Sequence, residues 1–108
     1  MELREFVDTD GISPFAVWFD RLDPQAAAKV TVALARMGRG NLSNVKGAGS
    51  GVFEYRIDFG PGYRLYFGKD GDTVVILLAG GTKKRQQRDI DMAHARWAEY
   101  KRRSKGSV

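Results

Sequence analysis

The chain has 108 residues, and its 18 Lys/Arg against 13 Asp/Glu give a formal net charge of +5. A chain of this length builds one hydrophobic core, so we expect a single domain over residues 1–108. It contains no cysteine, which excludes disulfide bonds and thiolate nucleophiles or metal ligands. Its charged N-terminal segment, MELREFVDTD, and the lack of an apolar run of about 20 residues predict neither a signal peptide nor a membrane span, and hence a cytoplasmic protein.

The positive charge is concentrated in the second half of the chain. Residues 1–50 hold six basic and six acidic side chains, whereas residues 51–108 hold 12 basic and seven acidic ones. Such an asymmetry favours an anionic partner, either a nucleic acid or an acidic protein. A solvated surface that happens to be basic would produce the same count.

The first part of the chain predicts a short strand, LREFV, followed by a pair of helices. The dipeptides Ser13-Pro14 and Asp23-Pro24 are helix-start signals, because Ser and Asp cap helices and Pro is favoured in the first turn. An apolar stripe at helical spacing follows each start: Phe15, Trp18, Phe19 and Leu22, then Ala27, Val30, Leu34 and Met37. We therefore expect a helix hairpin packed on a sheet, and we interpret its aromatic side chains as core rather than as a ligand site.

Residues 52–81 predict three consecutive antiparallel strands. In the first strand, apolar residues alternate with charged ones such as Arg56 and Asp58, so one face is apolar and the other polar. A three-residue turn over residues 60–62 places Asp58 opposite Arg64, either within a functional polar face or as a plain cross-strand ion pair. The third strand, TVVILLA, is apolar at almost every position, which is typical of a central strand covered on both faces.

Two further segments complete the chain. Residues 38–51 contain five glycines, which predicts an irregular loop that contacts a partner or simply connects the helices to the sheet. The C-terminal segment predicts a helix from about Gln86 to Arg103. Its apolar stripe consists of Ile90, Ala93, Trp97 and Tyr100.

The sequence offers cations rather than metal ligands. Arg56 and Arg64 fall on the polar face of the sheet, and Lys83 follows the central strand. Such side chains bind phosphate and stabilise the charge that develops when a ribose 2′-hydroxyl attacks a neighbouring phosphate. This pattern suits RNA cleavage without a metal ion or other cofactor. The lone His94 cannot build a zinc site by itself. We favour a structural role for it over a catalytic one. The side chains available for proton transfer are Asp58, Tyr66 and His94.

The stretch EYRIDFGPGYRLYFGKDGDTVVILLAGGTKKRQQRDI, followed by ARWAEYK, resembles the phage Gp49-like, HigB-type branch of the RelE/ParE toxin superfamily. Members of this branch are often labelled addiction module killer proteins. The resemblance extends along essentially the whole chain. It implies an α+β fold with the order β-α-α-β-β-β-α, in which an antiparallel sheet is packed by an N-terminal helix hairpin and a C-terminal helix.

The resemblance implies the toxin of a type II toxin–antitoxin system, bound by a cognate antitoxin that is often of helix-turn-helix type. RelE-like members are ribosome-dependent ribonucleases, so the expected activity is metal-free cleavage of mRNA on the ribosome, which inhibits translation. Two alternatives stay open, and in both of them the chain is not an enzyme. One is a non-catalytic, ParE-like toxin that binds DNA gyrase. The other is an inactive member that acts only in antitoxin binding and repression.

The resemblance also implies roles for individual residues. Three cations are expected to bind the scissile phosphate and to stabilise the transition state: Arg56, Arg64 and Lys83. Four more are expected to hold the RNA backbone independently of its sequence: Lys46, Lys84, Arg85 and Arg88.

The chain departs from the family pattern in its proton-transfer residues. Asp58 stands where RelE-like enzymes have a second lysine, and Asp89 and Ile90 stand where they have a tyrosine. His94 lies deeper in the last helix than the histidines that HigB-type enzymes use. The chain therefore matches the phosphate-binding residues of the family more completely than its proton-transfer residues.

Overall fold

The computed structural model describes residues 1–106. The elements in chain order are β1 (Glu2–Glu5), α1 (Pro14–Asp20), α2 (Pro24–Gly38), β2 (Val45–Gly47), β3 (Val52–Ile57), β4 (Tyr63–Asp70), β5 (Val74–Thr82) and α3 (Gln86–Gly106). A 3₁₀ turn, Lys83–Arg85, joins β5 to α3. The α+β class is confirmed, with β2 as an added strand. Within residues 1–106, no helix has both the length and the apolar character that a membrane span needs.

The two N-terminal helices begin at the predicted caps. Ser13 Oγ accepts a hydrogen bond from the Ala16 N–H group at 3.1 Å. Asp23 Oδ1 accepts one from the Ala26 N–H group at 2.9 Å. Each cap satisfies a helix N–H group that has no partner within the helix, which stabilises the helix by about 1 kcal/mol. The first turn of each helix is therefore set by the local sequence.

The sheet has the strand order β1-β5-β4-β3-β2. Strands β2 to β5 are antiparallel neighbours, whereas β1 runs parallel to β5 at one edge. Strand β5 thus lies inside the sheet, and its residues 75–79 are buried, as predicted for an almost wholly apolar strand. The prediction of an irregular loop over residues 38–51 is wrong at Val45–Gly47, which pairs with β3. Residues 49–51, all with positive φ, turn the chain between the two strands.

The register between β3 and β4 differs from the predicted one by two residues. Arg56, rather than Asp58, lies opposite Arg64, because the connection between the strands spans residues 58–62 rather than 60–62. An even shift keeps every side chain on its predicted face. The alternation of faces is therefore confirmed, whereas the pairing of Asp58 with Arg64 is wrong.

Two hydrophobic clusters lie on opposite faces of the sheet. The cluster beneath α1 and α2 contains Phe15, Val30, Ala33, Met37, Tyr55, Leu65, Phe67, Val75 and Leu77. The cluster beneath α3 contains Phe6, Val52, Tyr66, Ile76, Leu78, Ala79, Ala93 and Trp97. Helix α3 therefore covers the face that the sequence marks as polar. It encloses two charged side chains there, Glu54 and Arg64.

Candidate functional site

A buried carboxylate, Glu54 on β3, is the centre of the polar cluster under α3. Its side chain is fully buried, and Gln86 Nε2 donates a hydrogen bond to its Oε1 at 2.8 Å. Arg64 Nε lies 3.5 Å from Oε1, and Lys46 Nζ lies 3.5 Å from Oε2. A buried charge is tolerated only where opposite charges and hydrogen bonds compensate it. Glu54 thus holds together cations from β2 and β4 and the first residue of α3.

Arg64 and Lys83 meet at a single backbone carbonyl. Arg64 Nη1 donates to the Gly62 carbonyl oxygen at 3.2 Å, and the Lys83 N–H group donates to the same oxygen at 2.9 Å. Gly62 has φ +78°, and a Cβ atom there would lie 3.3 Å from Arg64 Nη1. A glycine is therefore favoured at this turn, both for its positive φ and because it leaves room for the Arg64 guanidinium. The structure brings these two predicted site residues together.

Arg56 completes a row of cations across the strands. It lies directly opposite Arg64 in the β3–β4 pairing, and its side chain is exposed. Like charges at directly opposite positions destabilise a sheet, and the Arg56 guanidinium has no ion pair within residues 1–106. It lines an open groove together with Lys46 and Asp58. The ion pair with Glu54 accounts for Arg64, whereas no contact within the described residues accounts for Arg56, and an anionic ligand would.

The other predicted RNA-binding residues are more dispersed. Lys84 and Arg85 lie in the exposed 3₁₀ turn, and Arg88 is exposed in the first turn of α3. Arg85 lines a second groove, on the outer side of β5, with Trp18 and Asp89. Lys46, in contrast, lies on β2 at the opposite edge of the sheet. The residues expected to bind the scissile phosphate therefore lie close together, whereas those expected to bind the RNA backbone lie apart, around them.

Glu54 and Gln86 were not identified from the sequence, although both contact the predicted site. The alternation in β3 predicts the polar face for Glu54, but it does not indicate that the carboxylate is buried beneath α3. Its partners could be recognised only with β2 and the true strand register in hand, since Lys46 and Tyr66 are the residues opposite Glu54 on its two neighbouring strands. The signal was therefore present in the sequence, but it depended on the tertiary pairing.

The three candidates for proton transfer lie in different environments. Tyr66 is fully buried, and burial, reinforced by the negative charge of Glu54, raises the pKa of the Tyr66 hydroxyl well above its usual value. His94 Nε2 is 2.8 Å from the carbonyl oxygen of Ala48, so the imidazole holds the loop after β2. Asp58 is exposed in the groove that it shares with Arg56. Within residues 1–106, no three His, Cys, Asp or Glu side chains are grouped as metal ligands.

Comparison with known proteins relates the chain to a family and to a curated relative. Residues 17–98 match the family model described as phage-derived, Gp49-like proteins (DUF891). A Haemophilus influenzae protein, described as uncharacterized, is 40% identical over 80 residues, which cover 73% of this chain and 81% of that protein. The family match includes β2 to β5 and all of the residues that contact Glu54.

Proposed function

Because this chain belongs to the phage-derived, Gp49-like family, a family associated with toxin–antitoxin modules, we propose that it is the toxin of a type II module. In this proposal it acts in the cytoplasm as a HigB-type member of the RelE/ParE superfamily and cleaves mRNA on the ribosome. A cognate antitoxin of helix-turn-helix type neutralises it. The observation that carries the proposal is the row of cations formed by Arg56, Arg64 and Lys83 around one turn.

These cations suit a reaction in which the ribose 2′-oxygen attacks the adjacent phosphorus and the bond to the 5′-oxygen of the next nucleotide breaks. The phosphorane formed on the way carries more negative charge than the substrate, so fixed cations stabilise it preferentially. Arg56 and Lys83 are exposed, and in this proposal their side chains bind the phosphate directly. Arg64 is only 4% exposed, and it contributes its charge from the floor of the site, where Glu54 fixes its position.

The reaction also requires a group that removes the 2′-hydroxyl proton and one that protonates the leaving 5′-oxygen. Asp58 is the accessible candidate, because it is exposed beside Arg56. Tyr66 is fully buried, and His94 is engaged with the carbonyl oxygen of Ala48. We therefore assign removal of the 2′-hydroxyl proton to the Asp58 carboxylate, and solvent water protonates the leaving 5′-oxygen.

The exposed cations near the start of α3 extend the site. Lys84, Arg85 and Arg88 present three positive charges beside Lys83 in the chain, and Lys46 adds another near Arg56. Contacts of this kind bind the RNA backbone without reading its bases. Sequence preference in cleavage would then come from the codon that the ribosome presents.

The test is mRNA cleavage in a purified translation system, with and without ribosomes, followed by mapping of the cut sites. We expect cuts only when ribosomes are present. Arg56→Ala and Lys83→Ala should each slow cleavage by about 100-fold, which is typical for loss of one group that stabilises a transition state. Both side chains are exposed, so these variants are expected to fold. Arg39→Ala is the matched control, because it removes an exposed arginine at the end of α2, outside the site.

Other outcomes would assign the chain to one of the two alternative functions. Intact mRNA together with a DNA-damage response after expression would indicate a gyrase-binding toxin. Intact mRNA without any toxicity would indicate a member that acts only in antitoxin binding and repression. Unchanged cleavage by both Arg56→Ala and Lys83→Ala would refute the assignment of the site while leaving the activity in place.

A further inference from the structure

The outer edge of β5 is open along its second half. Strand β1 pairs with β5 only from Val74 to Leu77, and no strand of the described chain lies beside residues 79–82. Two observed hydrogen bonds show how the peptide groups are oriented there. Arg96 Nη1 donates to the Leu78 carbonyl oxygen at 3.0 Å on the open side. The Lys83 N–H group donates to Gly62 on the β4 side.

Peptide groups alternate between the two sides along a strand. The carbonyl group of Leu78 points to the open edge, and the backbone N–H group of Lys83 points towards β4. By this alternation, the N–H and C=O groups of Gly80 and Thr82 point to the open edge. An edge of this kind is a template for an additional strand. Gly80 and Gly81 lack a Cβ atom that would otherwise overlap the Trp18 ring and the Asp89 carboxylate, respectively.

Ala79 and Gly80 of the open edge line a groove between α1 and α3, the β5-edge groove, with a volume of about 350 Å³. The rest of the open edge, to Thr82, lines an adjoining groove. The lining of the β5-edge groove includes Ile12, Val17, Trp18, Ala79, Gly80 and Met92. Ile12, Val17 and Met92 are three of the five exposed large hydrophobic side chains in the described part of the chain. Exposed apolar side chains gathered around one groove mark a site of protein interaction rather than a solvated surface.

The groove also carries a cation without a carboxylate partner. Arg96 is half-buried, and burial lowers the pKa of its guanidinium below the usual value. Its hydrogen bond goes to a backbone carbonyl, and no carboxylate within residues 1–106 lies at ion-pair distance. Arg21, Asp8 and Asp89 also line the β5-edge groove. Arg85 lines the adjoining groove, which shares Trp18, Gly80 and Asp89 with it. A carboxylate from a partner would compensate Arg96 at low desolvation cost, since the guanidinium is already partly removed from water.

We infer that the β5-edge groove accepts an extended segment of the cognate antitoxin, which adds a strand along Gly80 and Thr82. Its apolar side chains pack against Val17 and Met92, and an acidic side chain pairs with Arg96. This inference rests on the part of the proposed function that gives the chain an antitoxin. The apolar walls and the open peptide groups favour a peptide over RNA, because strand addition takes its affinity from main-chain hydrogen bonds and its specificity from side-chain pockets.

The proposed module predicts a gene for a small helix-turn-helix protein beside the gene for this chain. The test measures binding of the full chain to the purified product of that gene, by titration calorimetry. Val17→Asp and Met92→Asp should each weaken binding at least about tenfold, because each puts an unpaired charge on the apolar wall. Val32→Asp is the matched control, since Val32 is an equally exposed helical valine on α2, outside the groove. Groove variants that bind as tightly as the wild type, or a control that is weakened equally, would overturn the inference.

Amide exchange followed by NMR tests the added strand directly. The Gly80 and Thr82 amides should exchange at least about tenfold more slowly in the complex than in the free chain, because exchange then requires opening of the new strand pairing. Unchanged exchange at both amides would overturn strand addition, as would an RNA oligonucleotide that protects them and displaces the antitoxin. Neither readout depends on cleavage. A failed ribonuclease assay therefore leaves this inference standing, and a failed binding test leaves the ribonuclease proposal standing.

Discussion

Glu54 and Arg64 face each other beneath α3, with Glu54 Oε1 and Arg64 Nε 3.5 Å apart and both side chains almost completely buried. Lys46 and Gln86 are the other partners of the same carboxylate. Removing one member of a buried ion pair leaves the other charge uncompensated in a medium that solvates it poorly. The ion pair therefore ties the stability of the sheet to the position of a proposed catalytic arginine.

Glu54→Ala is expected to lower the free energy of unfolding by about 3 kcal/mol, because Arg64 would then be buried without its counter-charge. Urea unfolding followed by circular dichroism measures the loss. Lys46→Ala serves as the control, since the Lys46 side chain is 55% exposed and an exposed ion pair contributes less than about 1 kcal/mol. Equal losses for the two variants would contradict this account of the cluster.

The same argument affects how Arg64 is tested. Arg64→Ala removes both the counter-charge of Glu54 and the hydrogen bond to Gly62, so we expect it to be destabilised by about 3 kcal/mol as well. Loss of toxicity in this variant would therefore combine a loss of chemistry with a loss of folded protein. Arg56 and Lys83 are exposed, and they give the cleaner test of the site.

Local signals in the sequence were sufficient for the helices and for the faces of the strands. Ser13 and Asp23 cap the helices as predicted, because capping depends on residues only three positions apart. The strand register was not predictable from the same information. Alternation fixes which face a side chain occupies, and a shift of two residues leaves every face unchanged. Only the length of the turn distinguishes Arg56 from Asp58 as the partner of Arg64.

The candidate site shows the same division between local and long-range information. Arg56, Arg64 and Lys83 were found as cations at suitable points of the chain, and the structure brings them together. Glu54 was missed because a charged residue in an alternating strand is normally solvated. Its burial depends on α3, whose first residue, Gln86, is 32 positions away. No local pattern in β3 predicts that α3 will cover Glu54.

Gly68→Ala is expected to destabilise the protein by about 2 kcal/mol or more, because an added Cβ atom would overlap the Trp97 ring that packs on β4. Gly47→Ala is a matched control in another strand, where no atom lies within 4 Å of the added Cβ position. Urea unfolding of the two variants measures both changes. A Gly68→Ala variant as stable as Gly47→Ala would contradict the close packing of α3 on the sheet.

His94→Ala tests whether the imidazole is structural. The hydrogen bond between His94 Nε2 and the Ala48 carbonyl oxygen contributes about 1 kcal/mol to folding. We therefore expect a stability loss of that size and mRNA cleavage within about threefold of the wild type. Loss of cleavage by about 100-fold, the size typical of a catalytic acid or base, would instead place His94 in the chemistry and move proton transfer away from Asp58.

Asp89→Asn is expected to change how stability depends on pH. The Asp89 carboxylate packs over Gly81, and burial raises its pKa above the usual value of 3.8, with Arg85, Arg88 and Arg96 opposing part of the shift. Because the folded protein holds this proton more tightly than the unfolded chain, the Asp89 contribution favours folding at low pH. It is lost as the pH rises through the folded-state pKa.

Asparagine does not titrate, so Asp89→Asn should gain stability relative to the wild type as the pH is raised from about 4 to about 7. Urea unfolding of both proteins at several pH values in this range measures the difference in their free energies of unfolding. Only the change of that difference with pH is diagnostic, because a constant offset would come from the altered helix start rather than from ionisation. A difference that shrinks as the pH rises would mean that Arg85, Arg88 and Arg96 outweigh burial and lower the pKa of Asp89 instead.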